Sequence, residues 1–255
     1  MRYIHQNPVK AGVCNKAEIY NYSSMNEYLV EPNIVDTDFV YSLITKEQFV
    51  DFHKEENFDK CLEDEFWGEQ TWKKAESKIL KETVNTLFAK SGLSAKEIDY
   101  CFAGDLLNQC ISSSFGLRET NIPFFGVFGA CSTFAESMCL GSLFVASGAA
   151  NNILCATSSH FCSAEKQFRF PLELGNQRPP SSQWTVTGAG CSILSKKGNG
   201  PYITGLTPGK IVDKEIKDAN NMGAAMAPAA ADTIYTHLKD MNKSPAELIS
   251  NDGLA

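Results

Sequence analysis

The pattern of apolar and polar positions changes near residue 63. Up to that point Tyr, Asn and acidic residues separate the apolar side chains, and no long apolar run occurs. We predict two short amphipathic helices there, over residues 16–29 and 45–56, because Thr45 is a suitable N-cap and Phe49 lies on a small apolar stripe. A segment this short and polar is not expected to form a core of its own.

After residue 63 the apolar positions recur with helical spacing. The run TWKKAESKILKETVNTLFAKSGL is typical of an amphipathic helix that starts after Thr71 and ends at Gly92. Its apolar stripe consists of Trp72, Ala75, Ile79, Val84, Leu87 and Phe88. Ser94 and Glu97 then have the spacing of a capping box, and a strand is predicted over residues 98–103.

The rest of the chain contains several short apolar runs and one long apolar stretch. NIPFFGVFG indicates a strand that leads directly into a buried helix starting at Cys131, and NNILCATSS indicates a buried strand of a parallel sheet. QWTVTGAGCSILSKK and PYITGLTPGKIVD indicate two further strands joined by a turn over residues 198–201, before a last helix in NMGAAMAPAAADTIYTHLKDMN. This order of elements predicts a layered α/β domain.

Charge and cysteine content narrow the class of protein. The formal net charge of −7 does not suit a protein that grips nucleic-acid phosphates, so no nucleic-acid partner is expected for residues 64–255. The nine cysteines include no pair with zinc spacing, no metal site is predicted, and the polar N-terminus is unlike a signal peptide. We therefore expect free thiols in a reducing, intracellular compartment.

Glu136 interrupts the apolar stretch 124–154, which favours a buried helix over a membrane span.

Four motifs carry a resemblance to a known family. FGACSTFAES resembles the nucleophile turn of thiolases and ketoacyl synthases, in which a Cys follows a strand and begins a buried helix. Together with FAGDLLNQCISSSFGLR, TSSHFCSAEKQFRFPLE and QRPPSSQWTVTGAG, it makes residues 66–247 similar to the stage V sporulation protein AD family, thiolase-like proteins of endospore-forming bacteria. The resemblance implies a thiolase-like, layered α/β/α fold. Residues 64–255 would form its N-terminal half, without its first strand and most of its second half.

The same resemblance implies a binding role. Members of this family are expected to bind dipicolinic acid, which is pyridine-2,6-dicarboxylate, and to help move it from the mother cell into the forespore. They are expected to act with other proteins of the same sporulation operon, in the cytoplasm at the periphery of the forespore inner membrane, and intact relatives are expected to be homodimers. The resemblance describes a binding protein on an enzyme scaffold, so catalysis by this chain stays open.

The first 63 residues carry a different resemblance. RYIHQNPVKAGVCNKAEIYNYSSMNEYL is similar to the C-terminal region of REP-associated tyrosine transposases, in which a tyrosine attacks DNA with the help of a metal held by an upstream histidine pair. Tyr3 would correspond to that tyrosine, but the histidine pair is absent, so DNA cleavage is not expected. The whole chain then reads as a fusion of two gene fragments, a short and mostly helical segment before residue 63 and a thiolase-like domain after it.

Cys131 is the first candidate site residue. A helix N-terminus offers backbone N–H groups and the positive end of the helix dipole, and both stabilise a thiolate. In acyl-transferring relatives such a thiolate attacks a thioester. Three interpretations stay open: Cys131 lines a ligand pocket, it is an inert buried thiol, or it is a working nucleophile.

His160 and Asp105 are the next candidates because each follows a predicted strand at its carboxyl end, where ligands bind in α/β folds. Asn108 follows Asp105 in the same loop. The alternatives are structural: a core histidine bonded to the backbone, and an aspartate that stabilises a turn.

A polar loop after His160 holds cationic and aromatic residues that would suit a planar dicarboxylate. The candidates in this loop are Lys166, Arg169, Arg178 and Trp184, with Phe168 and Phe170 between them. Any one of these cations could equally be solvated at the surface. The glycines form no dinucleotide-binding fingerprint, so no cofactor is predicted.

Two further functions compete with ligand binding. One is an acyltransferase of the ketoacyl-synthase type that uses Cys131 as nucleophile. The other is a transposase remnant that binds DNA through residues before 63, against which the acidic charge of that segment argues.

Overall fold

The computed structural model describes residues 29, 45–47, 49–50, 64–106, 109–164, 186–217 and 222–244. The chain divides into two units, one of residues 1–61, 178–184 and 249–255, the other of residues 62–177 and 185–248. In the first unit, the start of the helix predicted from Thr45 is present, since the Phe49 N–H donates to the Thr45 carbonyl at 2.9 Å. Most of residues 16–29 and 51–56 lie outside the described residues.

The second unit alternates helices with short strands. The α-helices are α1 (Trp72–Ser91), α2 (Ile111–Leu117), α3 (Thr133–Ser147), α4 (Phe161–Ala164) and α5 (Met222–Asp240). The strands are β1 (Tyr100–Asp105), β2 (Phe124–Gly126), β3 (Asn152–Ser159) and β4 (Gly188–Ser195), and 3-10 turns span Ala95–Glu97 and Ala130–Ser132.

The four strands form one mixed sheet in the order β2-β1-β3-β4. β1 runs parallel to both β2 and β3, so that Ala103 lies opposite Gly126 on one side and Ala156 on the other. β4 runs antiparallel to β3, with Cys191 opposite Ala156. The three parallel strands therefore end at one edge of the sheet. We name the ends of these strands, Asp105, Gly126 and Ser159, together with the turns that follow them, the carboxyl edge.

Local signals determine α1, and the prediction for this helix is confirmed. The Thr71 hydroxyl accepts a hydrogen bond from the Lys74 N–H at the start, and Gly92 ends the helix in the left-handed region at φ 71°. Ser94 and Glu97 form the predicted capping box, in which the Glu97 carboxylate accepts from the Ser94 N–H at 2.8 Å.

Helices cover both faces of the sheet, so the predicted α/β/α layering is confirmed. On one face, α1 and α2 bring Leu80, Val84 and Leu117 against the strands. On the other face, Phe134, Met138 and Phe144 of α3 pack on a second cluster of buried residues, which comprises Phe102, Val127, Ala150, Ile153 and Cys155. Apolar burial of this kind is the main stabilising contribution to such a domain.

The expectation of an enclosed helix after Cys131 is wrong for the described residues. Only Thr133, Ser137 and Gly141 of α3 are buried, and Leu143 is 51% exposed. The reason is that α3 packs on the sheet through one side only, where the larger side chains such as Phe134, Met138 and Phe144 are partly buried. By length and composition the stretch Ala130–Ser147 also qualifies as a membrane span, the one such stretch in the described part of the chain, but core helices of soluble proteins meet that test as well.

The second strand predicted for the closing hairpin is also absent. Residues 201–217 follow β4 without regular secondary structure, and Ile211 is 98% exposed. Pro208 lacks the N–H that a strand would donate, and Gly205 and Gly209 weaken strand formation further. This segment lies against α5 instead, where the Lys210 ammonium is 3.1 Å from the Asp232 carboxylate.

Candidate functional site

The three sequence-predicted residues that the structure describes all lie at the carboxyl edge. Asp105 is the last residue of β1, His160 directly follows β3, and Cys131 lies in the turn between β2 and α3. In the parallel pair of β1 and β3, Asp105 stands opposite Ser158. The topology thus brings together residues that are far apart along the chain, at the side of the sheet where α/β proteins bind ligands.

Cys131 occupies the middle of a 3-10 turn and is exposed to solvent. The turn is closed by Ser132, whose N–H and hydroxyl donate to the Gly129 carbonyl at 2.9 and 2.8 Å. Ala130 adopts φ 49°, in the left-handed region that residues with a side chain rarely occupy. The predicted position of the thiol just before a helix is confirmed, but the thiol is accessible rather than enclosed.

Glu136 lies close to the same turn and was not among the predicted site residues. A Cβ added to Gly129 would be 2.4 Å from the Glu136 carboxylate oxygen, so glycine is what lets the two approach. A carboxylate in the first turn of α3 interacts favourably with the positive end of the helix dipole. It also places a carboxylate next to Gly129 in this turn, which is unfavourable for an anionic ligand there.

Asp105 is buried, and its carboxylate is turned inward toward the start of α2. One oxygen accepts from the Cys110 N–H at 3.3 Å, and the other accepts from the N–H and the hydroxyl of Ser113, each at 3.4 Å. Burial, followed by the charge of Asp105, raises the pKa of the Cys110 thiol. In this geometry Asp105 fastens the turn that begins α2.

His160 is fully buried, and both of its ring nitrogens are occupied. Nδ1 accepts from the Cys162 N–H at 3.2 Å, which requires the proton of the neutral ring to be on Nε2. Nε2 then donates to the Glu65 carbonyl at 2.7 Å. These bonds use the whole hydrogen-bonding capacity of the neutral ring, so the geometry corresponds to the structural alternative for His160.

Glu76 is a second residue of the site, after Glu136, that was not predicted from the sequence. It lies on α1 and is 1% exposed, and its two oxygens accept from the Ser158 hydroxyl at 3.0 Å and the Ser163 hydroxyl at 3.2 Å. Burial raises its pKa; the hydrogen bond from Ser158 acts in the opposite direction, and the charge of Asp105 raises it further. The signal was present in the sequence, because Glu76 falls within the apolar stripe of α1 directly after Ala75.

The cationic loop that is predicted to bind a dicarboxylate lies outside the residues that the structure describes. Lys166, Arg169, Arg178 and Trp184 lie outside the described residues, as do Asn108, Phe168 and Phe170. Their role in ligand binding stays a prediction. Within the described part of the chain, no group of three or more His, Cys, Asp or Glu side chains could hold a metal ion.

The thiols of the described residues differ sharply in their surroundings. Burial raises the pKa of Cys155 to about 12, and burial also raises the pKa of Cys101 well above its usual value. Cys131 is the exposed thiol among the described cysteines. Of the described thiols, Cys131 is therefore the most accessible to a reagent or a substrate.

Comparison with known proteins identifies a sporulation family. The model of the family Stage V sporulation protein AD (SpoVAD) matches residues 46–250. The chain is 43% identical over 187 residues to the Stage V sporulation protein AD of Bacillus subtilis (strain 168), an alignment that covers 73% of this chain and 55% of the relative. The chain thus spans about half the length of that curated relative. The family match begins before the boundary predicted near residue 63, and these comparisons give no support to the transposase resemblance.

Solved structures of ketoacyl synthases show partial similarity. The crystal structure of 3-oxoacyl-[acyl-carrier-protein] synthase III from Aquifex aeolicus VF5 is 16% identical, covers 51% of this chain and 40% of its own, and has a TM-score of 0.37. A 2.1 Å crystal structure of a 3-oxoacyl-(acyl-carrier-protein) synthase III is 16% identical, covers 66% and 60% of the two chains, and has a TM-score of 0.41. At TM-scores this low, the similarity supports no conclusion about activity.

Proposed function

The chain belongs to the stage V sporulation protein AD family, and on that premise we propose that it binds dipicolinic acid for uptake into the forespore. The observation that supports this proposal is the carboxyl edge, because Cys131, Asp105 and His160 all lie at or directly after the ends of its parallel strands. An edge of this kind is where an α/β sheet offers a concave site to a small ligand. The proposal treats the protein as a binder on an acyltransferase-like scaffold.

The acidic side chains near the carboxyl edge mean that a site for a dianion needs cationic residues from elsewhere in the chain. Asp105 at the carboxyl edge, with Glu76 on α1 and Glu136 on α3 next to it, makes the described surroundings of the site acidic. A dianion needs cationic partners, ideally the planar guanidinium of arginine, which can pair with a carboxylate through two hydrogen bonds. Lys166, Arg169 and Arg178, with Trp184 for the pyridine ring, are the residues that the sequence offers for this purpose.

Calorimetric titration of the full chain with dipicolinic acid tests the proposal. Isophthalic acid, which has the same shape and both carboxylates but no ring nitrogen, is the matched control ligand. A site that recognises both carboxylates and the ring nitrogen should bind dipicolinate more tightly than isophthalate. Equal heats for the two ligands would speak against a site built for dipicolinate.

Acyl transfer by Cys131 is the second candidate, and the exposure of its thiol is the observation that favours it. Among the described residues, His160 is not available as the base, because both of its ring nitrogens are bonded to backbone groups. A thiol without a base needs another means of activation. Incubation with an acyl thioester followed by mass spectrometry tests this function: a stable acyl adduct at Cys131 would support it.

A homodimer and a position near the forespore inner membrane are part of the proposal. β2 lies at the outer side of the sheet formed by the described strands, so its backbone can still pair with another strand. Phe128, which follows β2, is 66% exposed and would supply apolar surface to such an interface. Other proteins of the same sporulation operon are the further partners expected.

The origin of the first segment is a separate proposal. The resemblance of residues 1–63 to a transposase tail would make the chain a fusion of two gene fragments. Resequencing of the gene across codons 55–70 tests this: a single uninterrupted reading frame in the genome supports the fusion, and a frame that separates the two pieces contradicts it.

A further inference from the structure

One carboxyl group connects three elements at the carboxyl edge. Glu76 extends from α1 and accepts hydrogen bonds from Ser158 at the end of β3 and from Ser163 in α4. The hydroxyl of Ser112, in the first turn of α2, is its third partner. Ser112, Ser158 and Glu76 are all buried, so these bonds form away from water, where losing one is costly.

A second carboxylate lies beside the first. Asp105, at the end of β1, stands opposite Ser158 and accepts from Ser113, the neighbour of Ser112. The two adjacent serines of α2 are thus divided between the two carboxyl groups. Like charges held close together in a buried site repel each other, so ionising both groups is unfavourable.

We infer that Glu76 is the positioning residue of the carboxyl edge: it fastens α2 and the turn after β3 to α1, and its proton determines how tightly they are held. With the proton on Glu76, Asp105 has a neutral neighbour and the serine hydrogen bonds persist without charge repulsion. Without the proton, two buried negative charges face each other, and the turns are pushed apart. The role of this residue in ligand binding rests on the function proposed above, whereas its role in the fold does not.

The groups that face Glu76 from the surrounding elements are consistent with this role. β1 presents Asp105, the charged group among the described residues that acts on Glu76. α2 presents the Ser112 hydroxyl, and β3 and α4 present the hydroxyls of Ser158 and Ser163. His160, on the turn between β3 and α4, is bonded to backbone groups through both ring nitrogens.

The direction of the pH effect follows from proton linkage. Burial raises the pKa of Glu76 above its ordinary value of 4.5, so the folded state binds this proton more tightly than the unfolded state does. The corresponding stability is fully present below pH 4.5 and is lost as the pH rises through the raised pKa. Glu76→Gln imitates the protonated acid at every pH and should remove this part of the pH dependence.

Urea unfolding of the full chain between pH 4 and 9 tests the inference in the wild type, Glu76→Gln and Glu76→Ala. Glu82→Gln is the matched control, because Glu82 lies on the same helix and makes none of these contacts. We expect the free energy of unfolding of the wild type and of Glu82→Gln to fall with rising pH, and that of Glu76→Gln to fall less. Equal pH slopes for Glu76→Gln and the wild type would overturn the inference.

Hydrogen exchange at a fixed pH supplies a local readout. In Glu76→Ala, amides in residues 110–114 and 158–164 should exchange about tenfold faster, because the serines there lose a buried acceptor. Glu76→Gln should restore most of the protection. Unchanged protection in Glu76→Ala would show that Glu76 positions nothing.

Dipicolinate titration of the same variants separates this inference from the proposed function. Over a pH range in which the ligand stays a dianion, its affinity for the wild type should fall as the pH rises, and its affinity for Glu76→Gln should change less. If no variant binds dipicolinate while the unfolding and exchange results stand, the proposed function fails and the positioning role holds. If binding occurs with the same pH profile in both proteins, the positioning role in binding is refuted.

Discussion

The Ser158 hydroxyl donates a hydrogen bond of 3.0 Å to the carboxylate of Glu76, across a separation of 82 residues in the chain. This bond joins the end of β3 to the second turn of α1 in the buried interior. Ser158→Ala should lower the free energy of unfolding by about 1–2 kcal/mol, because Glu76 loses a donor that water cannot replace. It should also raise the pKa of Glu76, since the bond favours the ionised form.

Urea unfolding at pH 5 and pH 8 measures the effect of Ser158→Ala, which should be larger at pH 8, where the ionised carboxylate needs its donors most. Ser195→Ala is a suitable control, because the Ser195 hydroxyl donates to Asn152 at 2.7 Å in an exposed position. A loss in Ser158→Ala no greater than in the control would contradict a buried, stabilising bond.

Gly104 of β1 should tolerate no side chain. A Cβ at this position would be 2.1 Å from the Val127 carbonyl oxygen and 2.9 Å from Cγ2 of Thr133. We expect Gly104→Ala to destabilise the protein by about 3 kcal/mol, because the turn to α3 has to move away from the sheet. Gly190→Ala is the matched control on β4, where an added Cβ meets nothing within 4 Å. Thermal unfolding compares the two, and equal losses would refute the close contact.

Among the cysteines that the structure describes, Cys131 should be the thiol that reacts first in the native protein. Its side chain is exposed, whereas burial raises the pKa of both Cys101 and Cys155 and shields these two thiols from reagent. Brief treatment with iodoacetamide at neutral pH, followed by peptide mass spectrometry, should find the label on Cys131 well before it appears on Cys101 or Cys155. Labelling of the buried pair at the same rate in native protein would contradict the structure of this region.

Phe128→Asp should weaken the proposed homodimer. A charge at this exposed position next to β2 would oppose apolar contact and strand pairing across the interface. Sedimentation velocity should show a shift toward monomer in this variant. Tyr235→Asp, which changes a 72% exposed side chain on α5, should leave the distribution unchanged. A wild-type protein that is monomeric at all concentrations would refute the proposed dimer.

Lys166→Gln and Arg169→Gln test the predicted ligand cations. Each should weaken dipicolinate binding about tenfold or more, because a charged hydrogen bond to a carboxylate is lost. Lys96→Gln removes a cation from the turn before β1, at the opposite end of the strand from the carboxyl edge, and should leave the affinity unchanged. If the three variants bind alike, the cationic loop does not hold the ligand.

Local signals in the sequence were sufficient for much of the fold. Thr71 and Gly92 determine the ends of α1 through contacts within a few residues, and the continuous apolar run of β3 identifies it as a buried strand. The carboxyl-edge positions of Asp105 and His160 followed directly from recognising the strands. Predictions of this kind succeed because the physical cause lies inside the segment that carries the pattern.

The sequence failed where the outcome depends on distant partners. The apolar run after Cys131 does not reveal how many sides of α3 are covered, and the alternation in residues 201–217 does not reveal that no strand pairs with it. Glu76 was overlooked because its serine partners are far along the chain, and a glutamate in a helix is normally assigned to the solvent side.

The exposure of Cys131, in the turn that follows the left-handed Ala130, has a practical consequence. Because its thiol is exposed between β2 and α3, a reagent can reach it in the folded protein. A fluorophore or spin label coupled to this sulfur would therefore stand at a known spot beside the strand ends. Such a reporter could follow events at that spot in real time.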